Sequence, residues 1–172
     1  MVSDKRVLAR RVSKNRVYDV LFELIEQKDF GSITISELIE KSGIARSTFY
    51  RHFDSVPDVI EKYILCLDEW FEDTVGSDVD FNSLTYLTGV FKNYRIISKS
   101  LISLRKAGFA DRFLQAVCDY HSEKIGDMPM NSPERYRLHY YAGAIYCVAL
   151  EWIESGMKET PEELAQIFLE AS

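Results

Sequence analysis

The chain has 172 residues, 47% of them hydrophobic and 28% charged, as expected of a soluble globular protein with one or two small domains. Its three scattered cysteines indicate a reducing cytoplasm and exclude a disulfide framework. The lack of a long apolar run excludes a membrane span. The lack of an apolar segment near the N-terminus excludes a secretory signal. The net charge of −6 argues against nucleic-acid binding unless the basic residues are concentrated in one part of the chain.

The basic residues are indeed concentrated near the N-terminus. Residues 1–55 contain ten Lys or Arg against eight Asp or Glu, whereas the remainder contains eleven against nineteen. The first sixteen residues have six basic side chains and one acidic side chain. The net positive charge of residues 1–55 is compatible with DNA binding. Its first sixteen residues are expected either to be a disordered solubilising tail or to touch DNA as well.

Two helices are predicted before residue 43. The first runs from about Ser13 to Gln27, and its apolar residues form one inward stripe, made of Val17, Leu21, Leu24 and Ile25. The second begins after Thr34, which has the spacing of a capping box with Glu37. Gly43 suits a left-handed end to this helix. Its apolar face is formed by Ile35, Leu38 and Ile39.

Another short helix is predicted from about Ala45. Phe49 and Phe53 are four residues apart, so they share a face and are expected to pack inward. Arginine binds guanine or phosphate, and hydroxyl groups donate to phosphate oxygens. The remaining surface has this chemistry and consists of Arg46, Ser47, Thr48, Tyr50, Arg51 and His52. Two short helices joined by a glycine turn indicate a helix-turn-helix, whose second helix enters the DNA major groove. The alternative is an ordinary solvated helix face.

The rest of the chain is also predicted to be helical, because no segment alternates polar and apolar residues as a strand would. Helices are expected over about 57–73, 83–103 with a break near Asn93, 109–125, 133–155 and from 161 onward. Loops are expected over 75–82 and 126–133. The fold class is therefore all-α.

The last two predicted helices have a clear apolar pattern and clear starts. Ser132-Pro133-Glu134 and Thr160-Pro161-Glu162-Glu163 are helix-start sequences. One helix carries a seam of Leu138, Tyr141, Ile145, Val148 and Trp152, and the next points Leu164, Ile167 and Phe168 inward. Such a seam packs against another helix. We expect it to dimerise the protein, with the alternative that it builds the core of one chain.

The run ITISELIEKSGIARSTFYRHF, residues 33–53, resembles the DNA-binding domain of TetR/AcrR-family transcriptional regulators. The resemblance implies a three-helix helix-turn-helix domain over residues 1–55 and a helical dimerisation and effector domain over 56–172. It implies that Arg46, Ser47, Thr48 and Arg51 face bases or nearby phosphates, that Tyr50 and His52 hold the DNA backbone, and that Thr34 contacts a phosphate. The expected protein is a homodimeric repressor that binds an inverted-repeat operator in double-stranded DNA.

The chain departs from the family pattern at three positions. Ala45 stands where serine, a better helix cap, is usual. Asp54 and Val56 stand where basic residues are frequent, so we expect a smaller phosphate contribution to DNA affinity.

The resemblance also implies control at the C-terminal domain by a small molecule, with a protein co-regulator as the alternative. Aromatic residues that could line an effector pocket are Phe91, Tyr94, Phe113 and Tyr120. Aromatic residues at helical spacing are more often core. Some short family members resembling this chain, including regulators of dihydroxyacetone-kinase operons, are thought to bind another protein.

Other function classes have weaker support in the sequence. Potential metal ligands at Cys118, His121, His139 and Cys147 match no zinc motif, so we expect neither a metal nor a cofactor. We find no phosphate-binding loop, nucleophile elbow or zinc-protease motif, and therefore expect no enzyme. The competing function is a helical protein-interaction module, or a partner-dependent co-activator with weak DNA binding of its own.

Overall fold

The computed structural model describes residues 2–75, 79–126 and 128–171, and gives the backbone alone for residues 2–12, 68 and 69. All regular structure in these residues is helical, which confirms the predicted all-α class. A short 3-10 turn at Phe30–Ser32 follows the first helix. The α-helices are α1 (Val2–Gln27), α2 (Ile35–Ser42), α3 (Arg46–His52), α4 (Val56–Val75), α5 (Leu84–Ile96), α6 (Ser98–Lys106), α7 (Ala110–Ile125), α8 (Pro133–Glu154) and α9 (Pro161–Ala171).

The chain forms two compact units, Met1–Ile64 and Leu65–Ser172, which divide within α4. The N-terminal unit therefore includes the first turns of α4 and extends beyond the predicted domain boundary at residue 55. The assignment of DNA binding to one domain and of dimerisation and effector binding to the other stays a prediction. Every helix in the described residues is too short or too polar to cross a bilayer.

The N-terminal unit is built around α1. The predicted inward stripe is confirmed, because Val17, Leu21, Leu24 and Ile25 are each no more than 2% exposed. The predicted start at Ser13 was wrong, since α1 begins at Val2. The basic run before Ser13 has only a short apolar pattern at helical spacing, Leu8 and Val12, so periodicity did not predict a helix there.

The C-terminal unit contains α5 to α9, with α9 packed along α5. Phe91 of α5 lies between two aromatic side chains, with ring centroids 6.3 Å from Trp152 and 6.1 Å from Phe168. The predicted starts of α8 and α9 are confirmed. Ser132 accepts a hydrogen bond from the Arg135 amide, and Thr160 accepts one from the Glu163 amide.

The break in the predicted helix over 83–103 lies at Ile97, not near Asn93. Asn93 is buried within α5 and its amide group is satisfied there. Its Nδ2 donates to the Gly89 carbonyl at 3.0 Å, and its Oδ1 accepts from the Thr74 hydroxyl at 2.9 Å. Because these bonds satisfy the polar side chain inside the helix, Asn93 does not end it. The loops predicted over 75–82 and 126–133 include residues 76–78 and 127, which lie outside the described residues.

The seam predicted to form the dimer is largely inside the core of one chain. Five of its side chains are no more than 6% exposed, namely Leu138, Ile145, Trp152, Leu164 and Phe168. Tyr141 and Val148 are half-buried. Periodicity shows that a face is covered but not which chain covers it, and here the same chain covers it. The inward direction predicted for Ile167 was wrong, because this side chain is 51% exposed.

Candidate nucleic-acid interface

The start of α2 is a capping box, as predicted. The Thr34 hydroxyl accepts a hydrogen bond from the Glu37 amide at 3.3 Å, and Glu37 Oε2 accepts from the Thr34 amide at 3.1 Å. Lys28 adds a third partner, with its Nζ 2.6 and 2.8 Å from the two carboxylate oxygens of Glu37. The hydrogen bonds from Lys28 and from the Thr34 backbone hold the pKa of Glu37 at about 2, so this carboxylate is charged at neutral pH.

The same geometry changes what Thr34 can offer to DNA. Its Oγ1 lies 3.1 Å from Glu37 Oε2, where a carboxylate can only accept, so the Thr34 hydroxyl proton is directed at Glu37. A phosphate would therefore compete with Glu37 for that proton. Thr34 is exposed and remains a predicted DNA contact, but the structure gives it a clear role in holding the start of α2.

The turn between α2 and α3 requires a glycine. Gly43 has φ 65° and ψ 21°, in the left-handed region that residues with a Cβ rarely adopt. Its amide donates to the Ile39 carbonyl at 3.1 Å and to the Glu40 carbonyl at 3.3 Å, which satisfies two of the last acceptors of α2. The predicted left-handed end of this helix is confirmed.

The second helix, α3, has one buried and one polar side. Phe49 and Phe53 are 0% and 1% exposed and their ring centroids lie 5.4 Å apart, which confirms that they pack inward. The six polar residues predicted to face DNA all lie on this helix. Arg46, Ser47, Tyr50 and Arg51 are exposed, while Thr48 and His52 are half-buried. The structure thus brings six of the seven predicted contacts onto seven consecutive residues, with Thr34 at the start of α2.

Two of these residues touch each other. The Arg46 guanidinium donates to the Tyr50 hydroxyl at 3.4 Å, and its central carbon lies 5.5 Å from the centroid of the Tyr50 ring. Stacking on an aromatic ring limits the rotamers of an arginine, which lowers the entropy lost when it binds. Ala45, before Arg46, provides no side-chain cap, as its departure from the family pattern indicates.

A second network closes the other end of α3, and sequence reasoning did not identify it. Lys62 Nζ lies 2.7 Å from the carbonyl oxygen of His52, the last residue of α3. Asp58 accepts from Lys62 at 2.8 Å and from the Asp54 amide at 2.9 Å, and its own amide donates to the Ser55 hydroxyl at 3.1 Å. The Ser55-x-x-Asp58 spacing would have indicated the helix start, but a side chain that binds a main-chain carbonyl leaves no sequence signal.

The two other departures from the family pattern have different surroundings. Asp54 is exposed just after α3, so it places a negative charge near the C-terminal end of this helix. Val56 is only 8% exposed, so this side chain packs against the protein instead of reaching outward as a lysine would. Both observations fit a reduced electrostatic contribution to DNA affinity.

The predicted effector-pocket residues are buried in the C-terminal unit. Phe91, Tyr94, Phe113 and Tyr120 are 0 to 7% exposed. Within the described part of the chain, the Tyr94 hydroxyl has no hydrogen-bond partner, and its burial raises the pKa of Tyr94. Tyr120 also lines an open cleft of about 300 Å³ between α4 and α7, whose other side chains include Glu72, Arg112 and Lys124. Their role as effector ligands stays a prediction.

The potential metal ligands are only partly brought together. Cys118 Sγ lies 3.4 Å from Nδ1 of His139. His121, by contrast, has both ring nitrogens engaged, with Nε2 2.6 Å from the Tyr86 hydroxyl and Nδ1 2.6 Å from the Val117 carbonyl. In the described residues, no three His, Cys, Asp or Glu side chains are grouped as a metal site.

Comparison with known protein families finds matches over most of the chain. Residues 17–60 match the family model described as bacterial regulatory proteins, tetR family. Residues 82–171 match the model described as a transcriptional regulator C-terminal region. The first match covers the helix-turn-helix and the second covers more than half of the chain.

Two curated relatives are bacterial regulators. The chain is 25% identical over 187 residues to the uncharacterized HTH-type transcriptional regulator YxbF of Bacillus subtilis (strain 168), covering 97% of this chain and 45% of the relative. It is 26% identical over 87 residues to the HTH-type transcriptional regulator AlkX of Mycobacterium tuberculosis (strain ATCC 25618 / H37Rv), covering 51% of this chain and 41% of the relative. The chain thus spans less than half the length of these relatives.

Solved structures show the same fold at low identity. A TetR transcriptional regulator from Streptococcus agalactiae 2603V is 21% identical, with a TM-score of 0.63 over 99% of this chain and 97% of that chain. The dihydroxyacetone kinase operon activator DhaS is 18% identical, with a TM-score of 0.58 over 92% and 93%. The regulator FadR from Bacillus subtilis, in complex with stearoyl-CoA, is 15% identical, with a TM-score of 0.53 over 90% and 95%.

Proposed function

The chain belongs to the TetR family of transcriptional regulators, and we propose that it regulates transcription by binding a specific operator in double-stranded DNA through α2 and α3. Members of this family are regulators and not enzymes. The observation that carries the proposal is the polar face of α3, which exposes Arg46, Tyr50 and Arg51 while Phe49 anchors the helix from behind. Since operator DNA lies in the bacterial cytoplasm, the protein is expected to act there.

The polar side chains of α3 have different roles in DNA binding. Arg46 and Arg51 are the groups able to bind guanine with two hydrogen bonds, and each can also bind a phosphate. The hydroxyls of Ser47 and Thr48 are donors for nearby phosphates. Tyr50 and His52 fix the register of the helix through the DNA backbone. Thr34 supports the same contact surface from the start of α2.

We propose a homodimer, because a seven-residue helix reads only a few base pairs and two copies can read an inverted repeat. The buried seam residues already serve the core of one chain. The contact between two copies is therefore assigned to the outer sides of α8 and α9. On α8, Tyr136 and Tyr140 lie one turn apart and are 61% and 59% exposed, and on α9 Ile167 is 51% exposed. Large apolar side chains at this exposure support a protein contact.

Regulation is assigned to the C-terminal unit, through a small-molecule effector or a protein co-regulator. Support for a small molecule comes from the FadR structure, which holds stearoyl-CoA, and from the buried aromatic residues of this chain. A protein co-regulator is the alternative that the resemblance to short members of the family implies. The family resemblance implies that the protein represses transcription.

A second candidate function is a partner-dependent co-activator with weak DNA binding of its own. The observation that favours it is the exposed Asp54 and the buried Val56, which replace two frequent basic groups next to α3. The salt dependence of binding distinguishes the two functions. Specific DNA binding should weaken steeply between about 50 and 200 mM salt, whereas an apolar protein contact should not.

The experiment that tests the proposed function is selection of bound duplexes from a random pool, with purified protein at fixed moderate salt. Enrichment of an inverted repeat is the expected result. Arg51→Ala serves as the control protein, because it removes one exposed basic group of α3 and should enrich a less defined sequence. Absence of any enriched sequence for the parent protein would contradict independent operator binding and favour the co-activator.

A further inference from the structure

We propose that Lys62 is a positioning residue for DNA binding, which holds the C-terminal end of α3 from the first turns of α4. The inference rests on the proposed function of α3. Lys62 is not one of the residues expected to touch DNA, and its role follows from contacts inside the N-terminal unit.

Lys62 donates a hydrogen bond to the last carbonyl group of α3. The last carbonyl groups of an α-helix have no partner within the helix, and they lie at its negative end. His52 is the last residue of α3, and its carbonyl oxygen lies 2.7 Å from Lys62 Nζ. An ammonium group at this position binds the carbonyl and complements the negative end of the helix. The same Nζ lies 5.9 Å from the centroid of the buried Phe53 ring.

Lys62 is itself held in place by Asp58, one turn earlier in α4. The Asp58 carboxylate lies 2.8 Å from Lys62 Nζ and also accepts from the Asp54 amide at 2.9 Å. The pair therefore binds two main-chain groups of the α3–α4 connection, the His52 carbonyl and the Asp54 amide. Partial burial acts to raise the pKa of Asp58, but the hydrogen bonds from Lys62 and Asp54 outweigh it and lower the pKa. The carboxylate thus stays charged at neutral pH.

This connection matters because α3 is short and its N-terminal end lacks a side-chain cap. A helix of seven residues is marginal by itself. Its N-terminal flank, Ala45, supplies no side-chain cap. The contacts at its C-terminal end therefore fix the orientation of Arg51 more than they would in a long, well-capped helix. A small rotation of α3 would move the Arg51 guanidinium away from its base or phosphate. Binding would then be weaker, because fixing the orientation of the helix on the DNA costs conformational entropy.

The experiment compares operator binding of the parent and of Lys62→Met over a range of salt concentrations. Methionine keeps most of the apolar stem and removes the ammonium. We expect Kd to rise about tenfold at every salt concentration, with the slope of log K against log salt unchanged, because Lys62 binds no phosphate. Lys62→Arg restores a donor and should recover most of the affinity.

Lys92→Met is the matched control, because it removes the same charge and an ion pair in the C-terminal unit. Lys92 lies 2.6 Å from Glu162, and both side chains are more than half exposed. This variant should bind the operator like the parent. If Lys62→Met also binds like the parent, the inference is overturned. It is overturned as well if Lys62→Met lowers the salt slope by about one, since Lys62 would then bind a phosphate directly.

Hydrogen exchange gives a readout that does not need DNA. In Lys62→Met the amides of Phe53 and Asp54 should exchange faster than in the parent, while the amides of α1 stay protected. Unchanged exchange at these two amides would overturn the inference, and this test holds even if the parent binds no duplex. Failure of the parent to bind any duplex would contradict the proposed function, which is a separate result. Should Lys62→Met fail to fold, Asp58→Asn provides the same comparison, with a smaller expected loss because Lys62 can still bind the His52 carbonyl.

Discussion

The Tyr86 hydroxyl lies 2.6 Å from Nε2 of His121, and both side chains are buried in the C-terminal unit. The other ring nitrogen, Nδ1, lies 2.6 Å from the Val117 carbonyl oxygen, which can only accept a hydrogen bond. Nδ1 therefore carries the proton and Nε2 accepts from Tyr86. On one side of His121 the Phe81 ring is stacked with a centroid distance of 5.3 Å. This geometry fixes a neutral histidine within an aromatic cluster.

The buried histidine should make the stability of the protein depend on pH. Burial lowers the pKa of His121, although the hydrogen bond to Val117 opposes the shift. A histidine with a lower pKa in the folded than in the unfolded chain stabilises the fold above its unfolded pKa of about 6.5, and this contribution is lost as the pH falls. We expect thermal unfolding curves to show a larger loss of stability from about pH 7 to about pH 5 in the parent than in His121→Gln. Parallel curves would contradict the prediction.

Two tyrosine variants should separate a bonded hydroxyl from an unbonded one. Tyr86→Phe removes the donor to His121 and leaves its Nε2 without that partner, so we expect the free energy of unfolding to fall by about 1–3 kcal/mol. Tyr94→Phe removes a buried hydroxyl with no partner in the described residues, so it should be neutral or slightly stabilising. Urea unfolding of the three proteins measures both effects. A loss of equal size in Tyr94→Phe would show that its hydroxyl has a partner in solution.

The features that could be predicted from the sequence depend on residues close together in the chain. The capping boxes at Thr34 and Thr160 each use a side chain and an amide three residues apart, and Gly43 follows from the need for a left-handed residue. The inward direction of Phe49 and Phe53 follows from their spacing of four. Such signals are local, so they also predicted the exposed face of α3.

The features that could not be predicted depend on groups that are distant or have no sequence signal. Lys62 binds a main-chain carbonyl ten residues away, and any residue type at position 52 would offer the same oxygen. The apolar seam of α8 was predicted correctly as a covered face, but spacing does not distinguish burial by α5 and α7 of the same chain from burial by a second copy. Asn93 was expected to break a helix because the partners that satisfy it, Gly89 and Thr74, were unknown.

The capping box of α2 should matter for DNA binding beyond its effect on stability. Thr34→Ala removes the cap and is expected to lower the free energy of unfolding by about 1 kcal/mol and to weaken operator binding, because the start of α2 supports the contact surface. Thr160→Ala removes the same kind of cap from α9 and should cost similar stability without changing DNA affinity. Urea unfolding and a binding titration measure the two quantities. Equal losses of affinity in both variants would mean that stability alone decides binding.

The outer side of α8 should be required for dimerisation. Tyr140→Glu places a charge on a side chain that is 59% exposed in one chain, so the monomer should remain folded while the dimer dissociates. Ile96→Glu is the control, because Ile96 is 70% exposed on α5 and should leave the dimer intact. Sedimentation velocity at several concentrations measures the result. A dimer that survives Tyr140→Glu would place the contact elsewhere on the chain.

Arg51→Ala tests the central assignment, that the polar face of α3 reads DNA. Loss of a base-reading arginine should cost about 1–3 kcal/mol of binding free energy and relax the preference at one base-pair position. Tyr50→Ala should also weaken binding, because it removes the ring on which Arg46 is stacked. Helical content and dimerisation should be unchanged in both, since the two side chains are exposed.

Arg95→Ala is the control, because it removes the same charge from an exposed position on α5 and should bind like the parent. If Arg51→Ala and Tyr50→Ala both bind like the parent in a titration with the selected operator, α3 is not the reading helix. If Arg95→Ala weakens binding as much as Arg51→Ala, net charge and not the face of α3 determines the affinity.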